Sequence, residues 1–197
     1  MVTAAPPVPL GEAFFARPAA EVAPALVGCT LLVEGVGGEI VETERYEQDD
    51  PASHSHRGPR GRARVMFGPP GRLYVYRSYG IHWCVNLVCA PEGRGEAVLI
   101  RALAPGAGLD AMRARRGGVP DRLLCAGPGR LAQALGLSGA DDGEVAFGPD
   151  AVAVLSSRRA DVDVVAGSRI GISKAVDRPW RYMAAGSRHL SRPGARR

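Results

Sequence analysis

Residues 72–89, RLYVYRSYGIHWCVNLVC, are dense in β-branched and aromatic side chains and carry a Tyr79-Gly80 step near their midpoint. This is the strongest hairpin signal in the chain, and it commits the fold to antiparallel sheet. CTLLVEG (29–35) and EIVETERY (39–46) are also strand-like, and the Gly-rich run Gly35-Val36-Gly37-Gly38 between them reads as a second hairpin turn. AVLIRAL (97–103) is a further strand that Pro105 is expected to end, and short strands are expected near 150–155 and 169–172.

Helical spacing runs through 12–27 up to Gly28, but Pro18 and Pro24 interrupt it, which favours two short pieces over one. GLDAMRARR (108–116) and PGRLAQAL (128–135) read as helices, the second with Pro128 in its first turn and Gly136 at its end. The expected class is α+β: a single domain over 1–197, with a mostly antiparallel curved β-sheet flanked by helices and a protruding β-hairpin. Residues 1–10 and the Arg-rich stretch 186–197 are expected to be loose ends.

A chain of 197 residues can bury one good core, whereas two separate cores would each be marginal. No apolar run approaches the ~18 residues of a membrane span, and the N-terminus lacks a basic region ahead of an apolar core. A cytoplasmic, nucleoid-associated protein is therefore expected. The formal charge of +5 suits a polyanionic partner without requiring one. Cys29, Cys84, Cys89 and Cys125 form no C-x-x-C pair and have no histidine at zinc-finger spacing, so reduced, buried thiols are expected. Of 25 basic residues only Lys174 is a lysine, which leaves one candidate for any chemistry that requires a lysine Schiff base.

In VETERY (41–46), strand alternation places Glu42, Glu44 and Tyr46 on one face and Val41, Thr43 and Arg45 on the other. Two carboxylates and a phenol do not make a core, and by themselves they fit a solvated strand face as well as a site. The neighbouring segments tilt the balance. EQDDPASHSHRGPRGRAR (47–64) is a long polar loop rich in Pro, Gly and Arg, of the kind that usually binds something, and the aromatic hairpin comes after it. Arg101 lies between apolar Val98, Leu99, Ile100 and Ala102, Leu103, so its buried stem needs a partner.

VETERY, DPASH (50–54), MFGPPGRLYVYRSYG (66–80), CVN (84–86), AVLIRALAP (97–105), CAGPGRLAQALG (125–136) and RIGISKAVDRPWRY (169–182) fall in a fixed order. In that order and spacing, over roughly residues 10–185, the chain resembles the alkyladenine (3-methyladenine) DNA glycosylases of the mammalian-type fold. The resemblance implies a monofunctional enzyme that flips an alkylated or deaminated purine out of double-stranded DNA and hydrolyses its N-glycosidic bond, without cofactor or metal and as a monomer. It matches Glu44 to the general base and Arg101 to a residue of the same site. Tyr46, His54, Tyr76 and Asn86 match the base pocket, and Tyr79 the wedge that replaces the flipped nucleotide. Phosphate contacts are expected from Arg57, Arg60, Arg62 and Arg64, and from Gly127, Gly129 and Arg130 at a helix start.

The pocket also sets the hairpin register. A two-residue Tyr79-Gly80 turn would pair Tyr76 with Trp83 and turn Asn86 away. A three-residue Tyr79-Gly80-Ile81 connection pairs Tyr76 with Cys84 and Tyr74 with Asn86, so Tyr76 and Asn86 share a face. Two positions depart from the family pattern: Arg45, where a small residue is common, and His82, where another aromatic is familiar. The rival reading is a non-catalytic DNA- or RNA-binding domain with the same basic and aromatic surface. A zinc nucleobase deaminase lacks its cysteine pair and H-x-E signature. Strand cleavage through a Schiff base is not expected, because Lys174 is remote in sequence from every pocket residue.

Overall fold

The computed structural model describes residues 8–157 and 161–192. Their strands are β1 (Thr30–Val33), β2 (Val36–Tyr46), β3 (Leu73–Ser78), β4 (His82–Val88), β5 (Ala97–Ala107), β6 (Ala153–Ser156), β7 (Val164–Gly167) and β8 (Arg181–Ala184). All pair antiparallel in one sheet of order β3-β4-β5-β2-β1-β6. β2 forks this sheet: its first half pairs with β1, while Glu42, Thr43 and Glu44 pair with β8, which in turn pairs with β7. Register shifts between β2 and β5 fall on both sides of Glu42, where the neighbour changes. Such bulges bend a strand and re-aim its side chains.

The helices are α1 (Glu12–Phe15), α2 (Ala19–Leu26), α3 (Leu109–Arg116) and α4 (Pro128–Leu135). α1 and α2 break at Pro18, as two prolines in one apolar stretch suggested, although Pro24 is accommodated inside α2. Phe15 and Leu26 pack with Ile40, Leu73, Leu87, Ile100, Leu103, Met112 and Leu131 in the principal core. One face of the sheet thereby supports the helices, and the α+β class holds. The four cysteines are buried.

Several elements differ from expectation for identifiable reasons. The β1–β2 turn is Glu34-Gly35, both at positive φ (50° and 79°), and the glycines after it belong to β2. A Cβ on Gly37 would lie 1.9 Å from the Leu31 carbonyl oxygen, and one on Gly38 would lie 2.0 Å from that of Ala104. Glycine serves there for close strand approach, not for turning. β5 continues through Pro105, which pairs with Gly38 of β2 beyond the stretch where β4 covers its other side, so no ladder partner needs the missing N–H. Residues 169–172 are not a strand, because Ile170 spends its backbone N–H on a side chain of β2. The loop 47–64 winds into short 3-10 turns at His54–Arg57 and Gly61–Phe67.

The ends are tied wherever they are described. Leu10 N–H donates to Leu155 O at 2.8 Å, Ser191 N–H to Glu42 Oε2 at 2.6 Å, and Arg181 Nη2 to Arg192 O at 2.8 Å. These bonds fall within the stretches expected to be loose ends, and the rest of those stretches, 1–7 and 193–197, lies outside the described residues.

Candidate active site

The β3–β4 hairpin uses the three-residue connection. Tyr79 and Gly80 have φ of 50° and 70°, Ile81 N–H donates to Ser78 O, and the register pairs Tyr76 with Cys84 and Tyr74 with Asn86. Tyr74, Tyr76, Cys84 and Asn86 therefore share one face. That face borders a cavity of about 940 Å³ reached by residues from β2, the 47–64 loop, β3, β4, β5, the start of α4 and both C-terminal loops. Tyr46, His54, Tyr76, Asn86, Arg101 and Tyr79 all line it, as do Arg62, Gly127, Gly129 and Arg130. Arg57, Arg60 and Arg64 do not. They are exposed outside the cavity, so of the four loop arginines only Arg62 is brought to it.

One wall is aromatic. Tyr74 and Tyr76 stack at 5.3 Å between centroids, and His54 meets Tyr76 edge-on at 4.6 Å. His54 Nδ1 lies 2.7 Å from the Tyr74 hydroxyl, and burial, then the Arg62 charge, pushes the imidazole below its usual value, so it is neutral at pH 7. Asn86 Nδ2 donates to Tyr74 O at 2.9 Å, which orients its amide. Tyr79, 83 % exposed at the tip, has no such support, an unusual place for a tyrosine.

The carboxylates lie behind the part of the lining formed by Tyr46, Arg101 and Ile170. Glu42 and Glu44 are both fully buried, which replaces the solvated-face reading of VETERY, while Thr43 between them turns away and donates to Ala23 O of α2. Arg101 joins them: Nε donates to Glu42 Oε1 at 2.8 Å and Nη1 lies 3.2 Å from Glu44 Oε2. Their remaining partners separate them. Glu42 Oε1 also accepts from Arg181 Nε and the Ser191 hydroxyl, both at 2.7 Å, and Oε2 accepts from Ser191 N–H. Burial alone would raise Glu42, but the Arg101 charge and the bonds from Arg181 and Ser191 outweigh it and hold the carboxyl below its usual range.

Glu44 accepts from the Tyr46 hydroxyl at 2.9 Å on Oε2 and from Ile170 N–H at 2.7 Å on Oε1. For Glu44 burial prevails: Arg101, Ile170 and Tyr46 pull its pKa down, Glu42 pushes it up, and the net shift is upward. Two carboxylates two residues apart are thus driven in opposite directions, the usual mark of a division of roles. Glu44 does not itself line the cavity; Tyr46, Arg101 and Ile170 do, and its carboxylate sits one hydrogen bond behind them.

Several residues here were invisible to local pattern. Ile170, Arg181 and Ser191 reach β2 from 126 to 149 positions away, and only Ile170 and Arg181 lie within one of the ordered motifs. Lys174 is not remote: Ile170, Gly171 and Ile172 line the cavity, and Lys174 borders a smaller one of about 240 Å³ that shares Ala52, Gly171 and Ile172 with it. Sequence distance was a poor proxy, because the irregular 169–175 segment folds back onto β2.

Both departures find local partners. The Arg45 guanidinium lies 4.0 Å over the Trp180 ring, and His82 packs on Gly129, where a Cβ would come within 2.6 Å of it. Arg62 and Arg77 on one side, and Arg116, Arg130 and Arg192 on another, give the cavity a cationic rim. Among the described residues no group of three His, Cys, Asp or Glu is placed to hold a metal ion. None of their helices is long and apolar enough to cross a membrane.

A cationic cleft with a stacked aromatic wall facing a buried carboxylate suits an enzyme that works on one base of a nucleic acid. The family model for methylpurine-DNA glycosylase matches residues 13–188. A provisionally named 3-methyladenine DNA glycosylase of Nitrobacter winogradskyi is 60 % identical over 95 % of this chain and 91 % of its own. Relatives with the same name in Rhodopseudomonas palustris and Nitrosospira multiformis are 58 % and 56 % identical, over 94 % and 91 % of this chain and 91 % and 92 % of theirs. The chain belongs to the methylpurine-DNA glycosylase family and is a DNA glycosylase, a hydrolase acting on DNA.

Proposed function

We propose that the protein is a monomeric, monofunctional glycosylase of bacterial base excision repair that flips alkylated or deaminated purines, of the 3-methyladenine and hypoxanthine class, out of duplex DNA. Glu44 is the general base. The observation that carries this is the pairing of Glu44 with Tyr46 and Arg101 directly behind the aromatic cavity, while Glu42 is locked by two arginines and Ser191.

The flipped base enters between Tyr46 and the Tyr76–His54 wall, with Asn86 at the edge to crowd the 2-amino group of normal guanine. Purines methylated at N3 or N7 are cationic, so electron-rich rings attract them and they leave without protonation. A water that enters beside the Tyr46 hydroxyl is held by Glu44 Oε2 and Arg101 together, with the Tyr46–Glu44 bond kept. It attacks C1′ as the C1′–N bond breaks through an oxocarbenium-like transition state, and its proton passes to Glu44. The released base takes the bonding electron pair. This uses one carboxylate, where sugar hydrolases usually need two.

Tyr79 fills the gap left in the stack, and Arg62, Gly127, Gly129 and Arg130 hold phosphates near the cavity, with Arg57, Arg60 and Arg64 reaching DNA farther out. The enzyme works in the cytoplasm, at the nucleoid. Lys174 comes near the main cavity but does not line it, and no other lysine exists, so borohydride should trap no covalent complex with abasic DNA. The decisive measurement is single-turnover release of hypoxanthine and 3-methyladenine by Glu44→Gln. Loss of release with duplex binding retained supports the assignment, and an unchanged rate removes Glu44 from the mechanism.

A further inference from the structure

Behind the cavity wall lies a buried ion pair that takes no part in the proposed chemistry. Asp50 and the Arg169 side chain are both fully buried, and Arg169 pairs with both Asp50 oxygens through Nη1 and Nη2. The same guanidinium donates to Arg45 O at 3.2 Å and Ala175 O at 3.4 Å. It also lies 4.8 Å over the Tyr46 ring and 5.1 Å from Trp180. One side chain thus joins three things: the Asp50 loop after β2, the 169–175 segment, and the end of β2 that carries Tyr46.

Burying an ion pair is seldom a source of stability, since desolvation offsets much of the attraction. Its better-attested use is to select one arrangement among several. Here the arrangement selected is specific: the residue after Arg169 is Ile170, whose N–H donates to Glu44 Oε1. We infer that Arg169, clamped by Asp50, is a positioning residue that seats the Ile170 N–H on Glu44 and the Tyr46 ring against the cavity. This rests on the assignment of Glu44 as the base.

Arg169 touches neither Glu44 nor the space for a substrate, so its effect must pass through Glu44 and Tyr46. The groups facing Glu44 are Arg101 of β5, Glu42 and Tyr46 of β2, Tyr76 of β3, Cys84 of β4 and the Ile170 N–H. Facing Asp50 are Arg169, Arg178 at 3.7 Å, and Glu47. Among the groups around Glu44, the Ile170 N–H is one that favours the ionised carboxylate. Unseating it should raise the pKa of the base further. A side chain needed only for folding would lower the active fraction without moving that pKa.

The test is the pH dependence of single-turnover hypoxanthine excision by Arg169→Lys, Arg169→Gln and Asp50→Asn, with active enzyme titrated in each. The expected result is a fall of about tenfold or more at neutral pH and an upward shift of the acidic limb. Arg169→Lys keeps the charge but cannot span both Asp50 oxygens and two carbonyls, so it carries the test if the other variants fail to fold. An acidic limb at its wild-type position in Arg169→Lys overturns the inference. Glu44→Gln is run alongside: if it still excises, the base assignment is wrong, whatever the Arg169 variants do.

Discussion

The Tyr46 hydroxyl donates to Glu44 Oε2 at 2.9 Å, so the ring that faces the cavity and the carboxylate behind it form one hydrogen-bonded unit. Tyr46→Phe keeps the stacking face and removes the donor. Because that bond favours the ionised carboxylate, the acidic limb of excision should move to higher pH, while rates on the basic side change little. A limb that stays in place would show that the bond is absent in the working complex.

Glu42 makes the opposite pH prediction, for stability. Its folded pKa is depressed, so its contribution is present above the unfolded value of about 4.3 and is lost as pH falls through the folded value. Glu42→Gln leaves Arg101 and Arg181 buried without their shared carboxylate and should cost about 3–5 kcal/mol at pH 7. Urea unfolding between pH 7 and pH 3 should show a smaller loss with acid in the variant than in the wild type. Equal slopes would refute the assignment.

For Glu44 the sign reverses. A carboxyl whose folded pKa is raised contributes stability that is fully present below the unfolded value and lost as pH rises through the folded one. Glu44→Gln should therefore gain stability relative to the wild type with increasing pH, even as excision disappears. Parallel melting and excision curves check both at once, and a variant that loses stability as pH rises contradicts the burial argument.

Tyr79 is mostly exposed and holds no fold contact of consequence, so Tyr79→Ala should change stability by less than about 0.5 kcal/mol. Its rate of excision from duplex DNA should nevertheless fall, because nothing then fills the vacated stack. A normal excision rate would leave the hairpin tip without the wedge role.

Gly129 and His82 form a steric pair at the start of α4. Gly129→Ala would set a Cβ 2.6 Å from His82 Cβ and should destabilise the fold, whereas His82→Ala in the same chain leaves that Cβ in place and removes the ring 2.8 Å away. Partial recovery in the double variant is expected by thermal melting. Additive losses would show that the backbone of α4, not the imidazole, sets the limit.

Much of this was legible along the chain. The aromatic hairpin, the break at Pro18, the extents of α3 and α4, and the common face of Glu42, Glu44 and Tyr46 follow from turn chemistry and periodicities of 2 and 3.6, while the three-residue turn follows from the pocket that the family resemblance implies. Short-range rules failed where a distant segment set the local structure. The β5 strand passes Pro105 because β2 pairs it there, and 169–172 stays irregular because it serves Glu44. Lys174 comes near the cavity for the same reason.

The sequence by itself determined that two carboxylates and a phenol share one face of a strand, since side-chain alternation is a property of the local backbone. Only the tertiary structure decided which carboxylate is locked and which is raised. That choice is made by Arg181, Ser191 and Ile170, brought from far along the chain into a dry interior, where burial and a few hydrogen bonds move a proton's affinity in opposite directions on one strand.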